Sequence, residues 1–130
     1  MMKLKTLFLA TATCLTLTAC STTPPVPETT VGVIEEVSNI KAFPDTQNNK
    51  AKLIKLDDHC NIEFTGIMDA GRARENWVFK GNTLISAGTV IVAKDGTSSA
   101  KSFDLYDKQV QANFLSLRDN FKKENVAACE

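Results

Sequence analysis

The hydrophobic pattern of this chain changes period once, and that change limits the kind of fold it can adopt. Before Tyr106, apolar side chains recur mostly at alternate positions in short runs separated by turn residues. From Asp107 onward they fall at Val110, Phe114, Leu117 and Phe121, a spacing of 4, 3 and 4. The first pattern belongs to half-buried strands and the second to one face of an amphipathic helix. Leu115 broadens the stripe, Asp107 stands where an N-cap is needed, and Lys122-Lys123 lie near the carboxyl end, where cations suit the helix dipole. The spacing predicts a helix of about five turns over 107–125. Strands followed by a single helix make two layers. The expected fold is therefore α+β, an antiparallel β-sheet of four to six strands packed against one C-terminal amphipathic helix.

Within the sheet, 31–37 has the composition of an edge strand, and 38–50 is turn-rich, a loop from which Ile40 and Phe43 tuck under the sheet edge. Residues 51–56, with Leu53 buried and the lysines wet, pair as a hairpin with 60–67 across Asp57-Asp58-His59. In the second strand Cys60, Ile62, Phe64 and Gly66 share one face. Residues 68–75 read as a connection with room for one helical turn, and 76–79 lead into a turn at Lys80-Gly81-Asn82. Then 83–93 form one long strand kinked or bulged at Gly88. Asp95-Gly96 has the chemistry of a tight hairpin turn, and a return strand runs over 99–106. No internal repeat is present.

The first 20 residues follow a different logic. Lys3 and Lys5 supply a positive start, and 7–19 is a mostly apolar run of 13 residues. A membrane-spanning helix needs about 20, so this is a signal peptide and not a stable anchor. The run ends in Leu17-Thr18-Ala19-Cys20, which resembles the lipobox of bacterial lipoproteins, a leucine and two small residues before a cysteine. The resemblance covers residues 1–20 only. It implies that Cys20 becomes the mature N-terminus and carries a diacylglyceryl thioether and an N-acyl chain, enough lipid to hold the protein on a bilayer. In the enteric sorting scheme an aspartate after the cysteine favours inner-membrane retention; Ser21 therefore implies an outer-membrane address, facing either the periplasm or the exterior. Residues 21–30 (STTPPVPETT) have the composition of an extended tether reaching about 30 Å. The chain thus divides into a signal peptide (1–19), a lipidated N-terminus with a Pro/Thr-rich tether (20–30) and a single small globular domain (31–130).

Removing the signal takes Lys3 and Lys5 from the 15 basic groups and leaves 13 against 15 acidic ones, a formal charge of −2. A chain without an excess of Lys and Arg is not held on nucleic acid by its surface field. Four cysteines occur, of which Cys14 leaves with the signal and Cys20 is the lipidation site. Cys60 and Cys129 then remain in an oxidising compartment and are expected to pair. The bridge closes a loop of about 70 residues, worth about 4 kcal/mol in the chain-entropy model. No C-x-x-C arrangement points to redox chemistry.

Candidate chemistry is sparse. His59 is the sole histidine, and although Asp57, Asp58, His59 and Cys60 have ligand chemistry, consecutive residues in a turn cannot all aim at one ion, so neither a metal nor another cofactor is expected. Nucleophile elbows, paired zinc histidines, phosphate loops and dinucleotide fingerprints do not occur. Glu63 and Asp104 are the carboxylates a catalytic reading would use, against their reading as solvated surface groups. The segment Gly71-Arg72-Ala73-Arg74-Glu75-Asn76-Trp77 stands apart because it holds two of the three arginines beside the sole tryptophan. Arg72, Arg74 and Trp77 are candidate partner-binding residues, since arginine and tryptophan dominate protein contacts. The bland reading is a solvated loop leading to a core tryptophan. Tyr106 and Trp77 are placed to flank a small groove.

The sequence therefore reads as a non-enzymatic outer-membrane lipoprotein that acts by binding, as an accessory, assembly or structural component of the envelope with an envelope protein or peptidoglycan as partner. The alternative is an inhibitor or binding module for a soluble target such as a cell-wall hydrolase. An envelope enzyme comes third. Oligomeric state is not encoded.

Overall fold

Six strands with strictly neighbouring connections form the sheet: β1 (Gly32–Ser38), β2 (Gln47–Lys55), β3 (Cys60–Met68), β4 (Gly71–Lys80), β5 (Thr83–Ala93) and β6 (Ser98–Ser102). Their spatial order is their chain order, and every pair is antiparallel. Two helices follow, α1 (Lys108–Arg118) and α2 (Lys123–Ala127). The computed structural model describes residues 31–42 and 45–130, so the signal peptide, Cys20, the tether and Phe43 lie outside the described residues.

One face of the sheet is apolar because alternate residues of the central strands point the same way. Ala51 and Leu53 of β2, Cys60, Ile62 and Phe64 of β3, and Trp77 and Phe79 of β4 are all buried there. Register carries the pattern across strands: Ile62 lies opposite Trp77, and Cys60 opposite Phe79. α1 covers this face through Phe114 and Leu117, with Phe121 beyond its end. The Phe114 ring lies 5.1 Å from that of Phe79 and 6.4 Å from that of Trp77. Asp107 caps the helix as expected, its Oδ1 accepting from the backbone amides of Gln109 (2.7 Å) and Val110 (3.3 Å).

The C-terminus is drawn back onto the sheet. Cys60 and Cys129, both fully buried, form a disulfide at the head of β3. Beside it the Gly81 amide donates to the Cys129 carbonyl at 2.7 Å. Arg118, at the end of α1, donates to the Gly81 carbonyl (2.6 Å) and to Asn82 Oδ1 (2.7 Å), locking the helix to the β4–β5 turn.

Several local expectations need correction. The expected continuous helix breaks after Arg118. The Asn120 side-chain amide donates to the Ser116 and Leu117 carbonyls, the chain turns, and α2 starts anew. Glu35 Oε1 receives the Lys122 amide (2.9 Å) and the Asn125 side chain (2.7 Å) at that restart. Lys55 is not wet. It shares the inward phase of Ala51 and Leu53, is 6% exposed, and donates to the Asp57 carbonyl. The supposed loop 38–50 already contains the first residues of β2. The bulge in β5 falls at Ile85, between the pairs Val78–Ser86 and Phe79–Leu84, and not at Gly88. The return strand stops at Ser102, and Asp104 forms a turn by accepting from the Tyr106 amide at 3.0 Å.

Residues 68–75 contain no helical turn. β3 runs to Met68 and β4 starts at Gly71. The start of β4 needs glycine twice over: φ is +143° at Gly71, and a Cβ there would lie 2.2 Å from the Val92 carbonyl oxygen.

Candidate functional site

α1 does not fill the whole inward face. Between its first turns and strands β4, β5 and β6 lies a cleft of about 400 Å³. Ala73 and Trp77 of β4, Ile91 of β5, Phe103 after β6 and Val110 of α1 give it apolar walls. Phe103 packs on Trp77 with ring centroids 5.2 Å apart. Polar groups enter from three sides: Glu75 on β4, Thr89 and Lys101 on β5 and β6, and Asp107, Gln109 and Asn113 at the start of α1.

Glu75 occupies this face because β4 keeps strict alternation, with Ala73, Glu75, Trp77 and Phe79 all inward. It lies opposite Phe64 on one side and Thr89 on the other, and Thr89 in turn lies opposite Lys101. The row Glu75–Thr89–Lys101 thus crosses three strands, with the outer two backbones about 10 Å apart from strand spacing alone. Glu75 is only 4% exposed. Its Oε1 accepts from the Trp77 indole N–H at 3.0 Å, its only side-chain hydrogen bond among the described residues. Its second carboxylate oxygen has no hydrogen-bond partner among the described residues, and the carboxyl lines the cleft. Burial pushes the Glu75 carboxyl above the ordinary glutamate range, and the Trp77 hydrogen bond offsets part of that rise. A second, smaller hollow of about 200 Å³, lined by Lys41, Phe64 and Leu117 among others, also has Glu75, Trp77 and Asn113 in its wall.

The residues singled out in the sequence separate in space. Arg72 and Arg74 are not in a loop but on β4, pointing away from α1, while Trp77 is buried on the opposite face. The three candidate partner-binding residues therefore do not share one face of β4, because odd and even positions of one strand face opposite sides. On the outer face Arg74 pairs with Glu63 at 3.1 Å, and Arg72 borders a shallow groove with Lys50, Lys52 and Thr65. Tyr106 is 94% exposed and does not join Trp77 in a groove. His59 Nδ1 lies 2.7 Å from Asp58 Oδ1, a contact that holds the Asp58 carboxyl below the ordinary aspartate range. Among the described residues no group of three or more His, Cys, Asp or Glu is placed to hold a metal ion.

Glu75 is the residue that sequence reading passed over. A signal was present: Glu75 is in phase with Trp77 and Phe79, whereas Arg72, Arg74 and Asn76 are in the other phase. A carboxylate in the apolar phase of a strand is either paired or functional.

No protein-family model, curated protein or solved structure matches this chain.

Proposed function

We propose that this protein is a bacterial outer-membrane lipoprotein that works by binding, and that the cleft beneath α1 receives the bound group. The observation that carries the binding site is the buried Glu75 carboxylate in the wall of the cleft, with one oxygen held by Trp77 and the other without a partner among the described residues. A concave, mostly apolar site with a few convergent polar groups and one perturbed carboxyl is the usual form of a ligand site. The lipobox-like Leu17-Thr18-Ala19-Cys20 and the proline-rich run after it support the envelope location. Binding is preferred to catalysis because the second carboxylate at the cleft, Asp107, already caps α1 with its Oδ1. The role that follows is that of an accessory, assembly or structural component whose partner lies within reach of the tether.

Crosslinking the full lipidated chain in cells, followed by purification and mass spectrometry, tests this. The expected result is one abundant envelope protein or wall fragment among the crosslinks. It should be lost with Ile91→Trp, which fills the cleft, and kept with Arg72→Ala plus Arg74→Ala on the other face. The reverse pattern would move the site to the outer face and overturn the cleft. Turnover of an envelope substrate by the purified chain would overturn binding as the function.

A further inference from the structure

Building on the cleft as a binding site, we propose that the group it takes is a protonated primary amine carried on an apolar arm, with the Glu75 carboxylate as counter-ion and the rings of Trp77 and Phe103 as its wall. Glu75 is nearly fully buried, yet it lines the cleft and one of its oxygens has no partner among the described residues, so the site offers a hydrogen-bond acceptor to a donor that enters the cleft. Electron-rich aromatic faces beside a carboxylate favour a cation over an anion or a neutral hydroxyl. Ile91, Val110 and Phe103 give the cleft apolar walls beside Trp77, which suit methylene or ring carbon.

The other charged groups around Glu75 are few. β3 and β5 present uncharged Phe64 and Thr89 opposite it. Lys101 on β6 and Asp107 at the α1 cap border the larger cleft, and Lys41 from the β1–β2 connection borders the smaller hollow. Neither lysine forms an ion pair with Glu75 among the described residues. Lys101 is exposed, and a lysine of that kind keeps its stem on the wall while its ammonium stays in water. An incoming ammonium therefore meets an unneutralised carboxylate. Because only the ionised carboxylate attracts it, affinity for the amine is greatest above the raised pKa of Glu75 and falls as acid protonates that group.

Trp77 is the sole tryptophan, so its emission reports the cleft directly. The full chain in detergent is titrated with 2-phenylethylammonium and with 2-phenylethanol, which has the same shape and no charge, in mildly alkaline and in acidic buffer. The amine should bind about tenfold more tightly than the alcohol in alkaline buffer. That preference should vanish in acid and in Glu75→Gln, with alcohol binding unchanged by either. Equal or tighter binding of the alcohol to the native chain would overturn the amine while leaving the cleft as a binding site. If neither probe shifts Trp77 emission, the cleft itself falls as a site for such groups, and this proposal with it. A blocked peptide with one lysine, compared with its Nε-acetyl form, separates the sources of the amine. Preference for the free lysine assigns a protein or wall peptide; binding of the small amine alone assigns a free metabolite.

Discussion

Glu75 and Asp95 pull the pH dependence of stability in opposite directions. Burial raises the Glu75 carboxyl, so the folded protein binds that proton more tightly than the unfolded chain does. Stability linked to it is fully present below the ordinary glutamate range and is lost as pH rises through the raised folded value. Hydrogen bonds from the Thr97 side chain and backbone lower the Asp95 carboxyl, so its contribution is present above the ordinary aspartate range and is lost as pH falls through the lowered value. Glu75→Gln cannot ionise yet keeps an acceptor for the Trp77 indole. Its urea midpoint should exceed that of the native chain at mildly alkaline pH, with the gap closing toward pH values of about 4. A gap that does not change with pH would show that Glu75 does not titrate in the folded protein. Gly66 sets a separate residue-scale constraint, since a Cβ there would meet Thr46 Cβ at 2.7 Å. Thr46 cannot step aside freely: its hydroxyl receives the Asn49 amide, and Asn49 also bonds both the amide and the carbonyl of Ile40 at 2.7 Å. Gly66→Ala should cost about 1–3 kcal/mol in chemical denaturation. A value near zero would mean that this corner yields. In the sequence Gly66 was legible only as an inward position; the partner that forbids a side chain comes from a turn-rich stretch with no periodic pattern.

Elements were legible wherever side-chain size and polarity agreed with their direction. β3 alternates large apolar with polar residues and was readable, as was the stripe that makes α1. β4 was not, since its inward set opens with Gly71 and Ala73, too small to signal burial, and continues with Glu75, whose charge mimics an outward residue. The break between α1 and α2 was hidden for a different reason. Phe121 stays buried past the turn, so the apolar spacing passes through a point where the backbone is no longer helical. α1 has 11 residues, too few to be stable alone, and so depends on its cap and its buried face. Asp107→Ala removes both capping hydrogen bonds and should cost about 1 kcal/mol. Phe114→Ala empties the contact between helix and sheet and should cost about 3–5 kcal/mol. Urea denaturation of the two variants checks the order; a cap variant as damaging as the core variant would mean that α1 is held by its end and not by its face.

On the scale of the whole molecule, the disulfide that closes the domain and the proposed lipid anchor at Cys20 can be separated experimentally. The Cys60–Cys129 bridge spans 69 positions and ties the last residues to the third strand. Removing it restores loop entropy to the unfolded chain, and Cys60→Ala with Cys129→Ala should lose about 4 kcal/mol, a large share of a small domain's stability. The anchor belongs to the proposed function and draws on different chemistry. Acyl chains on Cys20 would hold the chain at the membrane, and residues 21–30 would limit the domain to a shell about 30 Å deep, so any ligand for the cleft must be presented within that shell. Cys20→Ser removes the acceptor sulfur and leaves the domain's own cysteines in place. In fractionated cells the native chain should sediment with the outer membrane and resist salt extraction, while Cys20→Ser should leave the outer-membrane fraction and yet retain the urea midpoint of the native domain. If Cys20→Ser still sediments with the outer membrane, attachment runs through protein contacts instead of lipid, and the shell argument for the ligand's location falls with it. If it leaves the membrane and also loses binding to the purified partner, lipid would be doing more than anchoring, because the cleft itself lies in a part of the chain that the substitution does not touch.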